Sequence, residues 1–158
     1  MTKPTHDILE TFYRAFSGDT DLFDEVVSDD WDDIPLNPGQ EPGRHGAKDL
    51  VATINTVFRD FEIVVHDIVD GRGPDGNGLA AARAEMRGVQ AGDWLGVPGT
   101  GQPLRVRIHE FHEIADDRIV RTWHLAPGTW HLAPGTWHLA PGGLARLAPT
   151  GHRHGGDQ

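Results

Sequence analysis

The sequence predicts an α+β fold, a curved and mostly antiparallel sheet wrapped around N-terminal helices so that a conical pocket is enclosed. Three observations carry that expectation. Apolar residues recur at helical spacing through three segments of the first 61 residues. The period then changes to two. From there the chain runs strand, turn, strand, with no further helical pattern, which is the order of a segregated α+β domain.

Each element has its own signal. In THDILETFYRAF, residues 5–16, Ile8, Leu9, Phe12 and Phe16 share one helical face behind a Thr5 or Asp7 cap. SGDTDLFDEVV starts a second, short helix, capped by Asp19 or Thr20 and buried through Leu22, Phe23, Val26 and Val27. DDWDDIPLNPGQEPGRHG is polar and rich in turn formers, so it reads as a loop with Trp31 and Ile34 held inside. From Ala47, AKDLVATINTVFRDF gives a third helix with Leu50, Ile54, Val57 and Phe58 on one face. EIVVHDIVDG and LAAARAEMRGVQAG are strands joined by the turn RGPDGNG, and DWLGVPGTGQP is a Gly/Pro connection. PLRVRIHEFHEI, the ADDR turn and IVRTWHL complete a hairpin.

That hairpin carries the chemistry. Successive strand side chains point to opposite faces. Arg105 and Arg107 mark the outer face, so Val106 and Ile108 point inward, and Glu110 and His112 follow them. On the partner strand, an inward Val120 places His124 inside as well. A carboxylate and an imidazole on an apolar face are costly to bury unless they are paired or partly wet, which points to a pocket. Beside a carboxylate, an imidazole is oriented and made more basic, the usual construction of a general base near neutral pH.

The bulk properties narrow the class. The 158 residues suit one domain, expected over residues 1–125, followed by a Pro/Gly-rich tail over 126–158 that is partly or wholly flexible. No run approaches the length of a membrane span, and MTKPTHDILETFYRAF has no signal-peptide core. The absence of cysteine removes thiolate chemistry and suits a cytoplasmic protein. A formal charge of −10 argues against a nucleic-acid partner. HEFH suggests a metal only on a helix; on a strand, His109 and His112 face opposite ways, so no metal is expected. The tail HRHGGDQ lacks a rigid site for anything beyond adventitious metal.

DLFDEVVSDDW, the helix start PGRHGAKDL and above all GVPGTGQPLRVRIHEFHEIADDRIVRTWHL resemble the SnoaL-like polyketide cyclases. Those belong to the nuclear-transport-factor-like (cystatin-like) α+β barrels, with ketosteroid isomerase, scytalone dehydratase and limonene epoxide hydrolase. The resemblance covers roughly residues 5–125. It implies a conical cavity, no metal, no organic cofactor, a hydrophobic small-molecule substrate and a homodimer or homotetramer. In the best-understood members, an intramolecular aldol condensation closes a ring of an antibiotic precursor ester, using a pocket Asp on the last strand and a His on the strand before it. His124 stands where the family has that Asp and Glu110 where it has that His, so the pair is kept with its residue types exchanged. Through the same resemblance Phe16 matches an aromatic shaping the substrate end, Thr53 a third-helix position that influences stereochemistry, and Asp33 a polar loop residue. His112, by its inward parity, and Trp31, at the mouth, complete the expected substrate contacts.

TWHLAPG is repeated three times over 122–142. Pro-Gly in every heptad suits neither a helix nor a long strand, and 21 residues are too few for a solenoid. An in-frame duplication at a tolerant terminus is the cheaper account. The first copy runs on from IVR without a break and should fill the strand, making His131 and His138 spares. Bland alternatives stand beside these readings: His124 as a hydrogen-bonded inner histidine, Glu110 as a solvated rim residue, Trp31 as a loop anchor. Another lyase, isomerase or epoxide hydrolase on the same fold is also open. So is a non-catalytic binding or assembly module, which deletion of 129–142 would separate through oligomeric state.

Overall fold

Helix α1, Thr5–Phe16, buries Ile8, Leu9, Phe12, Tyr13 and Ala15, the stripe its spacing predicts with Tyr13 added. Neither Thr5 nor Asp7 caps it: Pro4 occupies the cap, no side chain bonds there, and Thr5 is itself buried. Its other end is closed by Ser17, whose amide and hydroxyl both donate to the Tyr13 carbonyl. The expected second helix divides into a 3-10 turn, Thr20–Leu22, and the single turn α2, Phe23–Val26, again without side-chain caps. This computed structural model describes residues 1–125; the second and third heptads, with His131 and His138, and the HRHGGDQ tail lie outside the described residues.

Strand β1, Val27–Ile34, occupies what the turn-rich composition marks as loop. It pairs in parallel with the last strand, Asp33 opposite Thr122 and Ile34 opposite Trp123. Its acids are placed by partners distant in sequence. Asp32 meets Arg121 at 3.1 Å and Asp29 meets Arg44, while Trp31 turns fully inside. No local signal announces a parallel edge strand whose partner lies 90 residues on.

Helix α3 spans Gly43–Val57, so it starts before Ala47 and ends before Phe58, which opens the sheet. It buries Ala47, Val51 and Ile54, and Leu50 is half-buried. Gly46 in its first turn lies against the Glu41 backbone, and an added Cβ there would collide with the Glu41 carbonyl. Gly46→Ala is therefore expected to destabilise the fold by about 1–3 kcal/mol, against the gain of about 0.5–1 kcal/mol usual for that change inside a helix. A urea midpoint that moves up instead of down would refute this.

Four long strands follow: β2 (Phe58–Arg72), β3 (Gly78–Gln90), β4 (Pro103–Ala115) and β5 (Arg118–Leu125). The five-stranded sheet has the order β1-β5-β4-β3-β2, antiparallel except at β1–β5. Asp116 and Asp117, at φ of 50° and 59°, make the two-residue left-handed turn that suits a tight hairpin. Alanines 80, 82 and 84 keep the inner face of β3 low, and aromatic bulk from α1, Phe23 and Trp31 fills the space above it.

Candidate active site

Strand β4 alternates as its sequence predicts: Leu104, Ile108, Glu110, His112 and Ile114 are buried, while Arg105, Arg107, His109 and Phe111 are exposed. Glu110 lies directly opposite His124 and His112 opposite Thr122. The expected parity of β5 needs one correction. Ile114 pairs with Ile119 and Glu113 with Arg121, so Val120 is the extra residue of a bulge and says nothing about the strand beyond it. Past the bulge Thr122 is buried and His124 half-buried.

Glu110 is 8% exposed, and burial pushes its carboxyl up to about 7 against the pull of the Tyr13 hydrogen bond and the His124 ring. The Tyr13 hydroxyl donates to its Oε2 at 2.6 Å. Burial, then the charge of Glu110, holds that phenol well above its ordinary pKa, so it stays a donor. Behind it, His112 Nε2 lies 3.0 Å from the Tyr13 oxygen and His112 Nδ1 3.0 Å from Thr122 Oγ1. Trp31 Nε1 donates to the same Thr122 oxygen at 3.1 Å. Burial lowers His112 to about 3, so its ring is neutral.

His124 is held from the opposite side. Its Nε2 lies 2.6 Å from the carbonyl of Pro35 and 3.4 Å from Asp33 Oδ1. A carbonyl only accepts, so Nε2 carries the proton and Nδ1 is the basic nitrogen of the neutral ring. Asp33 is buried, its carboxyl raised by desolvation and drawn back by His124 and by Gln40, whose Nε2 donates at 2.9 Å. The expected orientation of His124 by Glu110 is thus divided. Asp33 and Pro35 orient His124, Tyr13 orients Glu110, and the two face each other in register with no hydrogen bond between them among the described residues.

The remaining expected contacts separate. Phe16 packs edge-on against Phe12, Phe23 and Trp31. Trp31 and His112 are enclosed, 1% and 0% exposed, so they back the site from within the core instead of forming its wall, contrary to expectation. Thr53 is exposed, its hydroxyl donating to Asp49 O, and lines a separate cavity of about 330 Å³ with Leu50, Trp94 and Gln40. Gln40, which lines that cavity, reaches toward His124 through Asp33. Sequence reasoning passed over Tyr13, Thr122, Gln40 and Pro35. Tyr13, the single tyrosine, sits one helical turn after Leu9 and was within reach of the periodicity.

A family model described as SnoaL-like polyketide cyclase matches residues 7–127. Among solved structures, wild-type IdmH from Streptomyces antibioticus is 27% identical, with 77% of this chain and 90% of that chain covered at a TM-score of 0.61. TsrD from Streptomyces laurentii is 24% identical over 77% and 86% of the two chains at a TM-score of 0.66. A SnoaL-like polyketide cyclase from Agrobacterium tumefaciens strain C58 is 17% identical over 79% and 92% at a TM-score of 0.64. The last two speak for the fold alone. No curated protein matches the sequence. Among the described residues, no helix is long and apolar enough to cross a membrane.

Proposed function

The chain belongs to the SnoaL-like polyketide cyclase family, and from that premise we propose that it closes a ring on a hydrophobic, polyketide-like carbonyl compound by general acid/base catalysis without a cofactor. His124 takes the proton from the carbon beside a carbonyl at Nδ1. The carbanion attacks a second carbonyl, and protonated Glu110 gives its proton to the alkoxide formed there. Transfer from the imidazolium to the Glu110 carboxylate restores both groups, so the reaction is neutral in protons. One observation carries this reading: an imidazole whose Nε2 is engaged by Pro35 stands opposite a buried carboxyl in strand register, each held from behind by a different partner, and burial pushes that carboxyl up to about 7. The test is incubation with aromatic poly-β-ketone methyl esters, followed by mass spectrometry. Aldol closure gives an isomer of unchanged mass or its dehydration product. Gain of water on an epoxide probe instead, with no closure, would favour the epoxide hydrolase alternative.

We also propose that the chain acts as a homodimer through the outer face of the sheet. Val69, Leu79, Phe111 and Leu125 are 64%, 48%, 53% and 73% exposed there. Trp123, Phe111, Ala81 and Val69 lie in one row across four strands. The ion pairs Arg83–Asp67 and Arg121–Glu113 flank that row. Opposite charges on both sides of an apolar band suit a second copy related by a two-fold axis. Phe111→Glu is expected to halve the mass seen by light scattering; a monomeric wild type would end this proposal.

A further inference from the structure

The hydrogen bonds behind Glu110 run in one direction. An indole N–H only donates, so Thr122 Oγ1 accepts from Trp31. The Thr122 hydroxyl then has its own proton to place, and His112 Nδ1 stands 3.0 Å away. If Nδ1 accepts, the proton of the neutral ring is on Nε2, aimed at the Tyr13 oxygen. Tyr13 in turn donates to Glu110 Oε2. Every contact then joins one donor to one acceptor. In the opposite tautomer, Thr122 would accept twice and leave its own proton unplaced. Nε2 would present a lone pair to the tyrosine oxygen, whose one proton is already committed 2.6 Å away. Buried polar groups so mismatched are costly.

We propose that Trp31, Thr122, His112 and Tyr13 form a one-way donor chain ending on Oε2 of Glu110, which fixes His112 as the Nε2–H tautomer and reserves Oε1 for the proton that Glu110 takes up and releases. The four are positioning residues. Their use to catalysis rests on the reading of Glu110 as an acid/base group, but the chain itself is readable without turnover. It also explains why an enclosed histidine stands next to a carboxylate without forming an ion pair: the ring donates to the phenol as a neutral group.

The test is nitrogen-15 NMR of the histidine-labelled full chain, with His112→Gln to assign the ring. A pyrrole-like Nε2 and a pyridine-like Nδ1 are expected. A second arm titrates Glu110, labelled with carbon-13 at its carboxyl, in two variants. Tyr13, His112, His124 and Asp33 are the titratable groups packed around it from α1, β4, β5 and β1, and β3 sets Ala82 opposite it. Thr122→Val breaks the chain at nearly constant volume, and Thr122→Ser retains it. The valine variant should titrate about 0.1–0.7 pH unit higher, the size of a partial loss in one charge-assisted bond, and the serine variant should return toward wild type. An Nδ1–H tautomer, or equal titrations in the two variants, overturns the chain. Loss of turnover in Glu110→Gln bears on the acid/base reading alone, so the two failures are distinguishable.

Discussion

His124→Ala is expected to lower turnover by about 10²–10⁴-fold while the protein stays folded. The imidazole is only half-buried and stands at the end of β5 beside the exposed Leu125, so its removal opens no core cavity. What it removes is the imidazole that stands opposite Glu110 across the hairpin, with its Nε2 engaged by Pro35. His131→Ala and His138→Ala carry the matched controls, because both belong to identical heptads. Neither is expected to change turnover. Equal loss at all three positions would mean that the strand register of the first copy is not the working one. A second check uses Asp33→Asn, which keeps a hydrogen-bonding side chain but removes the charge beside Nε2. Turnover should then fall, since the carboxylate beside Nε2–H is part of what fixes the orientation of the ring.

Glu110→Gln is expected to reverse part of the pH dependence of stability. The folded protein holds the Glu110 proton to about pH 7, whereas the ordinary value is 4.5. Below 4.5 both folded and unfolded chains are protonated, and the contribution to stability is fully present. As pH rises from 4.5 through 7 the unfolded chain releases its proton first, and stability is lost. At 1.36 kcal/mol per pH unit the full loss is on the order of 3 kcal/mol. His112 works in the other direction. Its folded value, about 3, lies below the ordinary 6.5, so stability falls as pH drops through that interval. The two slopes oppose each other between 4.5 and 6.5 and flatten the wild-type curve. Glutamine still accepts the Tyr13 hydrogen bond but has no proton to lose. Urea midpoints at pH 5 and pH 8 should therefore show the variant gaining on wild type at pH 8. Parallel curves would mean that Glu110 is not held protonated by the fold.

The hairpin was the most legible part of the molecule because strand parity is a rigid rule. Once Arg105 and Arg107 were assigned outward, Glu110 and His112 had to face the core, and they do. The same rule failed at Val120, since a bulge adds a residue that no local pattern marks. β1 was missed for a related reason. Its acids look like loop residues until Arg121 and Arg44 are placed beside them. Caps at Thr5 or Asp7 and at Asp19 or Thr20 were expected from residue type, and neither helix start has a side-chain cap bond.

By itself the sequence determined the α+β class, the three N-terminal helical segments, the family, and the pairing of a carboxyl with an imidazole across the last hairpin. Those follow from periodicities of 3.6 and 2 and from motifs, which are properties of neighbouring residues. Only the tertiary structure decided which groups hold that pair: Tyr13 from α1 behind Glu110, Asp33 at the end of β1 and Pro35 just after it behind His124, and Trp31 on the Glu110 side through Thr122, His112 and Tyr13. The Tyr13–Glu110, Trp31–Thr122 and Pro35–His124 contacts join residues 89–97 positions apart. Hydrogen bonds across such distances depend on where the strands are laid down, so no short window of sequence contains them.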